Sequence, residues 1–275
     1  MDSNGKIPPK GAFLLPNLLT TCALFAGVYS IISGINGQYE AAAIAIGIAG
    51  VLDGLDGRVA RLTNTQSEFG VQFDSLSDMI SFGLAPAMLA FNWSLQSLGH
   101  LGPMAGKLGW LAAFVYIACA ALRLARFNAQ AGKQDKTYFQ GLASPAAALT
   151  LAVTIWFFVD NGIDGEQVSW LIWFATVTLG LLMFSSVRYF SFKSMGGSEK
   201  VPMAWIFALV LLLVLFSVDP PAVGMVAGTV YVLSGIIMTL AGRRSRLERR
   251  ARRRRLARRR QAEKAMQAEE RGPDS

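Results

Sequence analysis

Mostly uncharged apolar runs of about 20 residues recur along this chain, separated by short polar connectors. A helix of that length crosses a ~30 Å hydrocarbon layer. The pattern predicts about eight spans, near residues 14 to 35, 40 to 60, 70 to 95, 107 to 126, 143 to 160, 167 to 186, 201 to 218 and 221 to 241. The runs 201–218 and 221–242 hold no charged residue, whereas a helix covering a soluble core needs a polar outer face. The expected fold is therefore an all-α polytopic membrane protein, a single bundle of about eight transmembrane helices. The expected division is a polar N-terminal segment over residues 1–13, the transmembrane domain over 14–241 and an Arg-rich tail over 242–275.

The connectors set the expected orientation. Lys6 and Lys10 precede the first span, Arg58 and Arg61 follow the second, and Arg123, Arg126, Lys133 and Lys136 follow the fourth. Arg188, Lys193 and Lys200 follow the sixth, and an Arg-rich run follows the last. The alternate connectors "INGQYE", "DNGIDGEQ" and "SVDPPA" have no Lys or Arg, and the remaining one has only Lys107. The positive-inside rule then places both termini, and the acid-rich stretch between the second and third spans, in the cytoplasm.

Composition agrees, with 53% hydrophobic residues and a mean hydropathy of +0.40. The net charge of +8 belongs to the tail. From Gly242 onward 14 basic residues face 5 acids, whereas the preceding residues hold 12 basic and 13 acidic groups. Such a tail suits anchoring and contact with anionic lipids, each cation near the surface contributing about 1 kcal/mol. It lacks the interleaved aromatics of a single-strand binder, so no nucleic-acid partner is expected. Cys22 and Cys119 both fall inside spans and read as packing residues, not as a disulfide or a metal pair. The first apolar run is too long for a cleaved signal and is expected to be retained.

The stretch Val51 to Gly83 departs from this apolar plan. It places Asp53, Asp56, Asp74 and Asp78 in or against spans, where each ionised side chain costs roughly 2.5–3.5 kcal/mol unless partnered. Residues three or four apart share a helix face, so Asp53 and Asp56 pair at the end of the second span and Asp74 and Asp78 at the start of the third. A short turn lets the pairs face each other across antiparallel helices. Converging carboxylates repel, and a divalent cation resolves the repulsion. With oxygen ligands and no nearby His or Cys, a hard ion such as Mg²⁺ or Mn²⁺ is expected. The sole histidine, His100, falls in an external connector, so a carboxylate must serve as any general base. Gly57, Ala60 and Gly70 fit either close helix packing or room for a base and a diphosphate, with Arg61 supplying a permanent charge to phosphate. Two metal ions, carboxylate-held, are the equipment of phosphoryl transfer.

Written out, the spacing is D-x2-D-G-x2-A-R-x8-G-x3-D-x3-D, filled by Asp53, Asp56, Gly57, Ala60, Arg61, Gly70, Asp74 and Asp78. This resembles the signature of the CDP-alcohol phosphotransferase family, integral membrane enzymes that displace CMP from a CDP-linked substrate with an alcohol hydroxyl. The resemblance implies that Asp53, Asp56 and Asp74 are metal ligands and that Asp78 contributes to the metal site and is the catalytic base. It places Gly57, Ala60, Arg61 and Gly70 against the CDP portion, and it implies a homodimer. "LLPNLLTTCALFAG", "SLSDMISFGLAPA", "ALRLARFNAQ", "YFQGLASPAAA" and "RYFSFK" are similar to the branch that uses CDP-diacylglycerol as donor and L-serine as acceptor, expected in a bacterial inner (plasma) membrane. Two positions depart from that branch: Ala143 stands where a proline often does, and Cys22-Ala23 where Asn is common.

Arg123 and Arg126, three apart, share a face and suit a carboxylate or a lipid phosphate, or merely mark topology. Asn17 and Thr20 suit the nucleotide or the backbone around Pro16. Ser81 suits the acceptor pocket or its own helix backbone. Other acceptors, such as glycerol 3-phosphate, an inositol derivative or choline, keep the same chemistry. A cation or proton transporter is a different class, disfavoured because the acids cluster at one boundary and no internal repeat is visible.

Overall fold

The structure is a computed structural model that describes residues 14–63, 65, 67–130, 139–185, 187–189 and 214–239. Helix α1 (Leu14–Ile35) carries no charge, and Pro16 sits in its first turn, where a missing N–H costs nothing. A turn with Gly37 at φ 75° reverses the chain into α2 (Tyr39–Leu62). The pair packs through small residues, among them Ala23, Ala26, Gly27 and Ser30 on α1 and Ala42, Ala45 and Ala49 on α2. Small side chains let backbones approach closely where no hydrophobic effect drives helices together.

The third expected span is one helical rod in three parts: α3 (Glu68–Asp78), a π-helical segment at Met79–Leu84, and α4 (Ala85–Trp93). Ser67 caps its start, accepting a hydrogen bond from Gly70 N at 3.0 Å. The π segment was not legible in the apolar pattern, but Pro86 accounts for it. Pro86 has no N–H to give the carbonyl four residues back, at Phe82, and that carbonyl instead accepts from Tyr116 Oη at 3.4 Å. Phe82 and Tyr116 are fully buried, so the widened turn lies in the packed centre with Ile46, Leu89 and Leu151.

A 3₁₀ segment (Leu95–Leu101) and Gly102 at φ 125° lead into α5 (Pro103–Gln130). Then come α6 (Ser144–Asp160), α7 (Ser169–Phe184) and α8 (Pro220–Thr239). A two-residue antiparallel pair, β1 (Phe139–Gln140) with β2 (Arg188–Tyr189), joins the start of α6 to the end of α7.

Of these, α1, α5 over Pro103–Ala129, and α8 are long and apolar enough to cross a membrane, while α6 and α7 are apolar but only 17 and 16 residues long. The expected span 201–218 lies mostly outside the described residues; 214–218 is helical. Large apolar side chains point outward, with Phe25, Val51, Trp110 and Phe174 each more than 60% exposed. A surface of that kind belongs in lipid, and the architecture is that of a helical membrane protein. Cys22 and Cys119 are unpaired.

Succession of antiparallel helices gathers the start of α1, the end of α2, the start of α3, the end of α5 and the start of α6 at one end. The opposite end holds His100, which pairs with Glu166 at 3.3 Å.

Candidate active site

The two acid pairs converge. Carboxylate oxygens of Asp53, Asp56 and Asp74 lie within 4.8 Å of one another. Asp78 stands outside that trio but packs beside Asp53, which is within hydrogen-bonding reach of both Asp78 and Asp74. Asp56 is 5% exposed, and its Oδ2 accepts a hydrogen bond from Thr20 Oγ1 at 2.6 Å. Pro16 O lies 3.1 Å from the same hydroxyl; a hydroxyl has one proton, and the charged, nearer acceptor takes it. Thr20 therefore reaches from α1 to fix one carboxylate of the cluster. Ser77 Oγ, bonded to Thr20 O at 3.3 Å, ties α3 to the same point.

The donor set fits a hard divalent cation. It is oxygen throughout, and among the described residues no Lys or Arg forms an ion pair with any of the four acids. Repulsion within the cluster is thus uncompensated by protein charge at contact distance, the situation that a bound dication relieves.

A cleft of about 250 Å³ opens beside the trio. Asn17, Thr20, Gly57, Ala60, Arg61 and Gly70 all line it, with Asp56 and Asp74 at its edge. The glycines separate the two explanations open from sequence. A Cβ built on Gly57 meets no atom within 4 Å, so helix packing does not require glycine there, and the space it leaves belongs to the cleft. At Gly70 a Cβ would stand 3.2 Å from Ser67 Oγ and 3.6 Å from Asn17 Oδ1, crowding the cap of α3. Thr65 and Ser67 also line the cleft; sequence reading passed over both. For Ser67 a signal existed, a serine just before the helix that opens at Glu68.

The remaining candidates separate. Arg123 faces the acids, interacting electrostatically with Asp78 and Asp53, and its Nη1 donates to Ser144 Oγ at 2.6 Å. Arg126 turns away: Nη2 donates to Phe184 O at 3.0 Å and the guanidinium lies 4.3 Å from the Phe184 ring centroid. It caps the C-terminus of α7, where a cation is favourable. Ser81 is fully buried and donates to Ala23 O at 3.1 Å, strapping the π segment to α1 beside Gly27. Its hydroxyl is used by the fold, and neither its own helix nor an acceptor pocket receives it. Tyr231 of α8 stands near Arg123, a neighbour that sequence reading did not connect to the site.

Comparison with known proteins adds the lineage. The CDP-alcohol phosphatidyltransferase family model matches residues 13–182. A Helicobacter pylori protein named CDP-diacylglycerol--serine O-phosphatidyltransferase is 35% identical over 237 residues, 85% of this chain and 94% of that one. A Mycobacterium leprae protein of the same name is 32% identical over 63% of this chain and 57% of its own length. An archaetidylserine synthase of Methanothermobacter thermautotrophicus is 35% identical, covering 67% of this chain and 72% of its own. With all four acids inside the matched region and converging as that chemistry needs, the chain belongs to the CDP-alcohol phosphatidyltransferase family.

Proposed function

We propose that this protein transfers a phosphatidyl group from CDP-diacylglycerol to the hydroxyl of L-serine, giving phosphatidylserine and CMP. The observation that carries the reading is the cluster of Asp53, Asp56 and Asp74 oxygens at the edge of a cleft lined by Gly57, Ala60, Arg61 and Gly70. Relatives covering most of the chain are named for this donor and acceptor.

The cytidine diphosphate occupies the cleft. Gly57 and Gly70 leave the backbone open to it, and Arg61 offers its phosphates a fixed charge. Asp53, Asp56, Asp74 and the adjoining Asp78 would hold Mg²⁺ or Mn²⁺, two ions for four carboxylates; when bound, such ions neutralise and polarise the diphosphate. Thr20 keeps Asp56 in its ligating orientation. Asp78 accepts the proton of the serine hydroxyl as the serine oxygen bonds to the β-phosphorus, and the bond from that phosphorus to the CMP oxygen breaks. Protonated Asp78 then returns its proton to solvent. One in-line displacement inverts the configuration at phosphorus, and retention in a chiral-phosphate experiment would contradict it.

Arg123, beside Asp78, is placed to pair with the serine carboxylate. A phosphorylated acceptor needs a denser cationic pocket. Arg126 is committed to Phe184, which favours serine over glycerol 3-phosphate; Lys133 lies outside the described residues.

The acid end also carries Arg58, Arg61, Arg123 and Arg126, which supports a cytoplasmic active site in a bundle of about eight spans. The same reading places the chain in a bacterial inner membrane, with residues 1–13 and the 242–275 tail cytoplasmic and the tail on anionic lipid. Homodimerisation rests on the family alone.

Measuring CMP release from CDP-diacylglycerol with each alcohol in turn tests the assignment. Serine is expected to support turnover; activity with glycerol 3-phosphate and none with serine would overturn the acceptor. Ion flux in proteoliposomes without CMP formation would overturn the enzyme.

A further inference from the structure

A second cavity of about 850 Å³ lies between α2, α6 and α8, with almost wholly apolar walls. Gly47 and Leu52 line it from α2, Val153 and Trp156 from α6, and Gly228 and Tyr231 from α8. None of the carboxylates reaches it, and its one lining hydroxyl on α6, that of Thr150, donates to Ala146 O at 2.7 Å. Along α6 the lining runs from Ala146 to Trp156, about 15 Å at 1.5 Å per residue. That is about half of a ~30 Å hydrocarbon core, the depth of one leaflet.

The cavity adjoins the acid-bearing end of α2, where Leu52 lines it. Leu52 is the residue before Asp53, and Tyr231 stands near Arg123, itself a neighbour of Asp78 and Asp53. A lipid whose phosphate lies at the acids therefore has the cavity beside it at Leu52, with Tyr231 on the facing wall. The outer wall is α8, which falls outside the family-matched residues 13–182. It is held close to α6: a Cβ on Gly224 would stand 3.1 Å from Val153 Cγ1, and one on Gly228 would stand 2.7 Å from Thr150 Oγ1.

We infer that the cavity between α2, α6 and α8 holds an acyl chain of the lipid donor, with Tyr231 at its mouth. This rests on the proposed reaction only for the identity of the headgroup. It makes α8 a determinant of donor recognition.

Gly47 supplies the test, because a Cβ there meets nothing within 4 Å and alanine or a larger side chain raises helix propensity. The series Gly47→Ala, Gly47→Leu and Gly47→Phe fills the cavity progressively without loss of the fold, checked by thermal denaturation. Each variant is assayed with dioleoyl and with water-soluble dibutyryl CDP-glycerol. Overpacking of the cavity predicts a loss of roughly tenfold or more in kcat/KM for the long-chain donor with Gly47→Phe, and little change for the short-chain donor. Equal losses with both donors, or none with either, would overturn the inference.

A binding readout separates this from the reaction itself. Dioleoyl CDP-glycerol carrying a photoactivatable group on one chain is irradiated with the full-length protein. Adducts on the α2, α6 and α8 peptides that excess unlabelled donor removes support the cavity, even if no alcohol yields CMP. Adducts elsewhere, or equal labelling by photoactivatable phosphatidylcholine, contradict it.

Discussion

Replacing Thr20 by valine removes one hydroxyl and leaves side-chain volume nearly unchanged, so its effect reports the hydrogen bond to Asp56. Both residues are 5% exposed, and the oxygens are 2.6 Å apart. A hydrogen bond to a charged group contributes about 1.5–3 kcal/mol. Loss of a partner that orients a metal ligand weakens metal binding by roughly 10–100-fold, and the two ranges overlap. The Mn²⁺ concentration at half-maximal CMP release should therefore rise by roughly 10–100-fold, with kcat at saturating metal and KM for serine little altered. Thr20→Ser should restore most of the loss. Because Thr20 also lines the cleft, KM for CDP-diacylglycerol is measured alongside. A raised donor KM with an unshifted Mn²⁺ titration would show that Thr20 serves the nucleotide, and the argument from Asp56 would fail.

Asp78→Asn should abolish turnover while Mn²⁺ and donor still bind, whereas Asp56→Asn should weaken Mn²⁺ binding itself; calorimetric titration of both variants checks this, and equal loss of binding would refute the division. Gly57→Leu should raise KM for the donor by at least about tenfold by filling the cleft and leave the melting temperature near wild type, since a Cβ there meets no protein atom. Arg126→Ala should lower stability by about 1 kcal/mol through loss of the α7 cap and leave KM for serine unchanged. Arg123→Lys should raise KM for serine at least severalfold, because a point charge replaces a planar fork; an unchanged KM would remove Arg123 from the acceptor site.

Several helices lie where apolar run length places them. The expected spans 14 to 35, 143 to 160 and 167 to 186 correspond to Leu14–Ile35, Ser144–Asp160 and Ser169–Phe184. The acid pairs were legible too, because i, i+3 and i, i+4 spacing fixes a helix face whatever the tertiary packing. The long-range pairings were not. Nothing in local periodicity says that Thr20 reaches Asp56, 36 residues away, or that Ser81 spends its hydroxyl on Ala23. Arg123 and Arg126 looked equivalent at a spacing of three, yet one bonds α6 and the other α7. Each is decided by which neighbouring helix end comes within reach, a property of packing and not of spacing. The π segment sits between these cases: Pro86 announces a disturbed helix, but the carbonyl it strands is answered by Tyr116, on a helix distant in sequence.

The account stands on the acid cluster holding a divalent ion beside the nucleotide cleft. Electron paramagnetic resonance of Mn²⁺ added to the purified protein counts that binding directly. Saturable loss of the free-ion signal, reversed by Mg²⁺ and much weakened in Asp56→Asn, is the predicted result; a signal that stays that of free Mn²⁺ in the wild-type protein, with and without a CDP-linked ligand, would contradict it.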